Sequence, residues 1–95
     1  MVKNLEKIKI AVLPILKKNN VKKAAIFGSV ATGKEKKHSD VDILIEFRGR
    51  RTIYDLSALY SDLEAKLKRK VDLVTYNSID SRFRKSILSN KVDIL

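Results

Sequence analysis

A chain of 95 residues has room for one small domain, and with 44% hydrophobic residues and three glycines it reads as a folded globule rather than a disordered tail. The absence of cysteine excludes disulfides and thiolate metal sites and fits a cytoplasmic protein; no apolar run approaches the ~18 residues of a membrane-spanning helix, and the amino terminus lacks the apolar stretch and cleavage site of a signal peptide. Twenty-one basic against eleven acidic residues leave a net charge of +10, which suits polyanions (a nucleoside triphosphate, RNA or an acidic protein) and equally a lysine-rich solvated surface.

Leu5, Ile8, Val12 and Ile15 recur at helical spacing, so residues 3–18 are predicted as an amphipathic helix, with Pro14 expected to kink or restart it. Asn19-Asn20 end the helix, and Val21–Phe27 form a first strand with Lys22 and Lys23 at its solvent edge. Gly28-Ser29 turn the chain into a short helical segment around Val30-Ala31-Thr32, which Gly33 stops. Residues 34–39, His38 among them, form an exposed polar loop. Val41–Phe47 is the most apolar stretch and gives the second strand. Beyond the basic turn of residues 48–51, Thr52 is placed to cap the clearest helix of the chain, with Ile53, Leu56, Leu59, Tyr60, Leu63 and Leu67 on one face. A third strand is predicted at Val71–Tyr76, and Ser78 is placed to cap a last helix whose Ile79, Phe83 and Ile87 share a face. Val92-Asp93-Ile94-Leu95 repeats the Val-Asp-apolar-apolar wording of the second and third strands but is too short for a full strand, and Asp93 reads as structural. Tyr54, Tyr60 and Tyr76 read as packing residues, and Arg82, Arg84 and Lys85 as a solvated helix face.

The chemistry concentrates between Ile26 and Leu44. In an extended strand alternate side chains share a face, so Asp40 and Asp42 point one way while Val41 and Ile43 point into the core. Two carboxylates about 5–6 Å apart repel by roughly 3 kcal/mol at an effective dielectric near 20, which a cation between them or a retained proton relieves. Hard divalent ions such as Mg²⁺ combine one or two carboxylates with substrate phosphates. Glycine lets backbone approach a ligand closely, and amides plus a hydroxyl at a helix start suit a phosphate, so Gly28 and Ser29 are candidate phosphate binders. The structural alternatives are a strand-edge acid pair capping loop amides, an ordinary strand-to-helix corner, and, for Asp72, a strand-start acid answering Lys70. For Gly28-Ser29 to meet Asp40 and Asp42, the first two strands must run antiparallel. For Asp72 to lie beside Asp42, the second and third must run parallel, joined by the crossover helix. The expected fold is therefore α/β: a small mixed sheet backed by helices.

Gly28-Ser29, a ten-residue spacer and Asp40-Val41-Asp42, followed by Val71-Asp72-Leu73-Val74, resemble the signature of the minimal nucleotidyltransferases of the DNA polymerase beta-like superfamily. The resemblance covers roughly residues 20–90 and implies the nucleotidyltransferase fold, one domain over 1–95, and metal-dependent transfer of a nucleotide from an NTP to a hydroxyl. It implies that Asp40, Asp42 and Asp72 are catalytic and hold two Mg²⁺ ions (or Mn²⁺), with Asp42 bridging both and Asp72 acting on the nucleophile side, while Gly28 and Ser29 bind the β and γ phosphates. Thr32 stands where relatives often carry arginine.

Larger superfamily members add a domain that grips base or acceptor, so here the acceptor is expected from a partner or a second copy of the chain. Chains of this size resemble antitoxins paired with a HEPN ribonuclease toxin, which they adenylylate on a tyrosine; ATP as donor and a HEPN protein as acceptor are what that resemblance implies. The rival readings are transfer to a small molecule or to RNA, which the charge of +10 favours, and a non-catalytic antitoxin that acts by binding alone. All three carboxylates and the Gly-Ser corner argue against the last.

Overall fold

A computed structural model describes residues 2–34 and 40–95. The elements in chain order are helix α1 (Val2–Lys18), strand β1 (Val21–Phe27), helix α2 (Gly28–Thr32), strand β2 (Val41–Phe47), helix α3 (Ile53–Leu67), strand β3 (Val71–Thr75), a single 3-10 turn at Tyr76–Ser78, helix α4 (Ser81–Asn90) and strand β4 (Val92–Asp93). The sheet order is β3-β2-β1-β4; β1 is antiparallel to both β2 and β4, and β2 is parallel to β3. The mixed α/β sheet expected from the placement of the acids is therefore the one formed. The predicted loop around His38 falls on residues outside the described ones, apart from Lys34.

Strand alternation sorts the apolar side chains onto two faces. Val41, Ile43 and Ile45 of β2 join Ala24 and Ile26 of β1 in a core closed by Ile8, Val12 and Leu16 of α1 and by Leu59 and Leu63 of α3. Ala25 and Leu44 face the other way, against Tyr76 and Ile79, with Phe27, Val74, Ile87 and Leu88 packed around them. Asp42 lies between Val41 and Ile43 in β2, so its side chain shares the second face, the one α4 covers.

Several local expectations shift. Helix α1 does not restart at Pro14, which sits on its exposed side, where the carbonyl freed by the missing N–H can meet water. Asp80, not Ser78, caps α4: its side chain accepts from the Arg82 N–H at 2.9 Å. The Ser78 hydroxyl instead donates to the Thr75 carbonyl at 3.0 Å and closes the 3-10 turn, so β3 ends at Thr75 and Ile79 is buried ahead of the helix. Phe83 and Ile53, placed on buried faces by their spacing, are 55% and 76% exposed. Val92-Asp93 does pair with β1, as a two-residue edge strand. Thr52 caps α3 as expected, in a reciprocal capping box with Asp55. No helix among the described residues is long and apolar enough to cross a membrane.

The edge strand β3 carries Asp72, and α3 fixes it. Along a strand successive N–H groups point to opposite sides, so Val71 and Leu73 turn theirs away from β2. Glu64 Oε2 accepts the Val71 N–H at 3.0 Å, and Tyr60 Oη accepts the Leu73 N–H at 3.0 Å. Tyr60, read from sequence as a packing residue, thus also serves as a surrogate strand partner. Tyr60→Phe leaves one part-buried amide without its acceptor and is expected to lower stability by about 1 kcal/mol in urea denaturation. No change in midpoint would mean that the hydroxyl is dispensable to the edge.

Candidate active site

Each of the residues singled out from sequence sits at one end of the sheet. β1 ends at Phe27, and Gly28 opens α2 at a φ of +73°, a left-handed conformation that glycine adopts without strain. Ser29 is half-buried in the first turn of this short helix. The N-cap residue, Phe27, makes no side-chain hydrogen bond to the amino end of α2, so its leading N–H groups are not taken up by that cap. Thr32 Oγ1 turns back to the Gly28 carbonyl at 3.2 Å, which accounts for its hydroxyl within the corner itself.

The antiparallel register sets Phe27 opposite Asp42, and the parallel register sets Asp42 opposite Asp72. Asp40, exposed, lies two residues upstream of Asp42, immediately before β2. The contact between corner and acid is direct: a Cβ at position 28 would overlap Oδ2 of Asp42 and stand 3.2 Å from its Cγ. Glycine is required here twice over, by its backbone conformation and by the carboxylate that fills the place of a side chain.

The electrostatics agree with this crowding. The Asp42 carboxyl is pushed up from 3.8 to about 6, first by partial burial and then by the negative charges of Asp72 and Asp40. Among the described residues no three of His, Cys, Asp and Glu are drawn into a metal cage made by the protein alone. The donor set still suits a hard divalent cation, because it is all oxygen and sets the Asp42 carboxyl under the negative charges of Asp72 and Asp40. Substrate phosphates commonly supply the remaining ligands of Mg²⁺.

The helix cations expected to be solvated are partly engaged. Arg82 pairs with Asp80 at 2.9 Å, and Arg84 Nη1 donates to the Tyr76 carbonyl at 3.1 Å. Sequence reasoning gave no role to the cleft of about 410 Å³ between α2 and α4, which is lined by Gly28, Thr32, Phe83, Ser86, Ile87 and Asn90 with Phe27. An apolar residue at a helical spacing carries no signal that its face is left open, so Phe83 could not be told from a core residue.

Comparison with known proteins places these features in a common frame. Residues 6–95 match the family described as Polymerase beta, Nucleotidyltransferase. A protein of Methanocaldococcus jannaschii, provisionally named a protein adenylyltransferase, is 45% identical over 92 residues, covering 97% of this chain and 99% of the relative. A solved structure provisionally described as a minimal nucleotidyltransferase superposes with a TM-score of 0.81 at 31% identity, over 95% of this chain and 92% of the other. A chain from the complex of a tri-AMPylated Shewanella oneidensis HEPN toxin with MNT antitoxin superposes with a TM-score of 0.72, over 96% of this chain and 71% of the other; at 17% identity that likeness concerns the fold alone.

Two substitutions test the corner. A carboxyl whose pKa rises on folding destabilises the fold when ionised; the effect is absent below pH 3.8, grows through the interval up to about 6, and is full above it. Asp42→Asn is therefore expected to raise the melting temperature of the metal-free protein near neutral pH by a few °C, about what 1 kcal/mol gives a domain of this size, with the gain vanishing in acid. An equal gain at both pH values would show that charge is not its cause. Gly28→Ala is expected to lower stability by about 1–2 kcal/mol from the left-handed backbone alone, with a further loss from the displaced Asp42 carboxylate. An unchanged urea midpoint would contradict the contact.

Proposed function

Because this chain belongs to the polymerase beta nucleotidyltransferase family and is a nucleotidyltransferase, we propose that it is a metal-dependent protein adenylyltransferase, transferring AMP from ATP to a tyrosine of a HEPN-family toxin and so acting as its antitoxin. The observation that carries the chemical part is the Asp42 carboxylate seated against Gly28, with Asp72 opposite it in register. A triphosphate corner and a negatively charged strand end thereby adjoin. The protein acceptor is supported by the name of the Methanocaldococcus jannaschii relative, and the HEPN partner by the toxin-bound complex of the same fold.

In this reading the leading amides of α2 and the Ser29 hydroxyl donate to the β and γ phosphates, at the corner that glycine keeps open. Asp40, Asp42 and Asp72 hold Mg²⁺ or Mn²⁺, which when bound supplies Lewis-acid polarisation of the transferring phosphate. The acceptor hydroxyl oxygen forms a bond to the α-phosphorus as the bond from that phosphorus to the β-bridging oxygen breaks, and pyrophosphate leaves with the electron pair. Asp72 takes up the hydroxyl proton; its position on the exposed edge of the sheet is open to an acceptor delivered by another protein. Asp42, the most enclosed of the three acids, would be the ligand shared between the ions.

Mixing the protein with ATP, Mg²⁺ and its HEPN partner is expected to raise the partner's intact mass by one or more AMP units. The double substitution Asp40→Asn with Asp42→Asn removes two charges and keeps side-chain shape, so it should abolish the mass shift and the protection of cells while docking survives. A double variant that still modifies the partner would remove these carboxylates from the chemistry. One that no longer modifies it yet still protects cells would make binding alone the antitoxin activity.

A further inference from the structure

We propose that the cleft between α2 and α4 seats the nucleoside of the donor nucleotide, with Phe83 as the stacking face and Asn90 as the group that reads the base. This deepens the proposed function and rests on the assignment of the triphosphate to the Gly28-Ser29 corner. The cleft, of about 410 Å³, is of the size that binds small ligands. Gly28, the residue in contact with Asp42, lines the cleft, so the cleft adjoins the place where the phosphates would lie. A further cleft, of about 470 Å³, is lined by Ile45, Phe47, Thr75 and Asn77 at the carboxyl ends of β2 and β3, the opposite end from the acids.

The side chains that line the cleft are arranged for a base. Phe83 is 55% exposed, an unusual position for a large apolar ring, and the Arg82 guanidinium lies over it, 5.5 Å from the centroid. Arg82 is in turn held by Asp80 through both its Nε (3.3 Å) and Nη2 (2.9 Å), so the cation and ring are positioned before any ligand arrives. Ile87 and Phe27 give the cleft an apolar floor, and Thr32 and Ser86 a polar rim. Asn90 donates from Nδ2 to the Ser86 carbonyl at 2.9 Å, which fixes its carboxamide and leaves Oδ1 as an acceptor. Such an oxygen accepts from the amino group of adenine or cytosine and repels the carbonyl at the corresponding position of guanine or uracil.

Calorimetric titration in the presence of Mg²⁺ with three probes tests this: a non-hydrolysable ATP analogue, the matching GTP analogue, and inorganic tripolyphosphate. The wild-type protein is expected to bind the ATP analogue more tightly than tripolyphosphate, and about fivefold more tightly than the GTP analogue. Phe83→Ala should weaken the ATP analogue about tenfold and leave tripolyphosphate unchanged, while Phe83→Trp preserves nucleotide binding. Asn90→Ala should remove the preference for ATP over GTP. If Phe83→Ala leaves the affinity for the ATP analogue unchanged while tripolyphosphate still binds, the nucleoside lies elsewhere and this proposal alone fails; the same holds if the substitution raises only the KM for the acceptor. If the wild-type protein binds neither tripolyphosphate nor nucleotide, the triphosphate corner fails with it.

Discussion

The carboxylate of Asp42 occupies the volume that any residue but glycine at position 28 would fill with its own Cβ. That contact needs three things at once. β1 must end where the chain can turn through a left-handed residue, β2 must run back beside it with Asp42 opposite Phe27, and β3 must enter parallel so that Asp72 comes level. The sheet order β3-β2-β1-β4 satisfies all three by placing the acid-bearing strand between its two neighbours. Partial burial first, and then the negative charges of Asp72 and Asp40, raise the pKa of Asp42. A fold that keeps an unfavourable arrangement at the point where its strands converge is consistent with a cation and phosphates being its intended occupants.

The two faces of the sheet are unequally filled, and the difference places the site. Val12 and Leu16 of α1 and Leu59 and Leu63 of α3 are fully buried, so one face is a closed core. No residue of α4 is buried; the helix is held by the Asp80 cap, by Arg84 on the Tyr76 carbonyl, and by the half-buried Ile87 and Leu88. The second face is thus covered only in part, which leaves open the strand ends that carry Asp42 and Asp72. Few buried apolar contacts also put α4 among the less firmly held parts of the molecule, where elements that adjust to ligands are commonly found.

Much of this was legible in the sequence because the decisive features are local. β1 and β2 span the predicted residues, since each is an apolar run bounded by turn residues, and the strand directions followed from requiring Gly28, Asp42 and Asp72 to meet. What could not be read depends on partners remote in sequence or on competition between equivalent residues. Ser78 and Asp80 are both good caps, and only the hydroxyl's attachment to Thr75 decides between them. Two residues at Val92-Asp93 are too few to show alternation; they become a strand because β1 has a free edge. Leu16, fully buried, adjoins the half-buried Ile15 on a helix face wide enough for both, and Ile53 and Phe83 have the spacing of core residues but project beyond the core. The surrogate pairing by Tyr60 and Glu64 joins residues on two elements through main-chain atoms, which leave no trace in side-chain periodicity.

That pairing also changes how the molecule can breathe. An edge strand held only by its neighbour can fray alone, exposing its outward amides to solvent while the rest of the sheet stays intact. Here the outward amides of Val71 and Leu73 are fastened to side chains of α3, and α3 is anchored through Leu59 and Leu63 in the closed core. β3 therefore cannot peel away by itself: strand and crossover helix form one cooperative opening unit, and hydrogen exchange at Val71 and Leu73 should slow to the pace of that unit. Asp72, at the open rim of the sheet, inherits the rigidity of a helix anchored in the closed core.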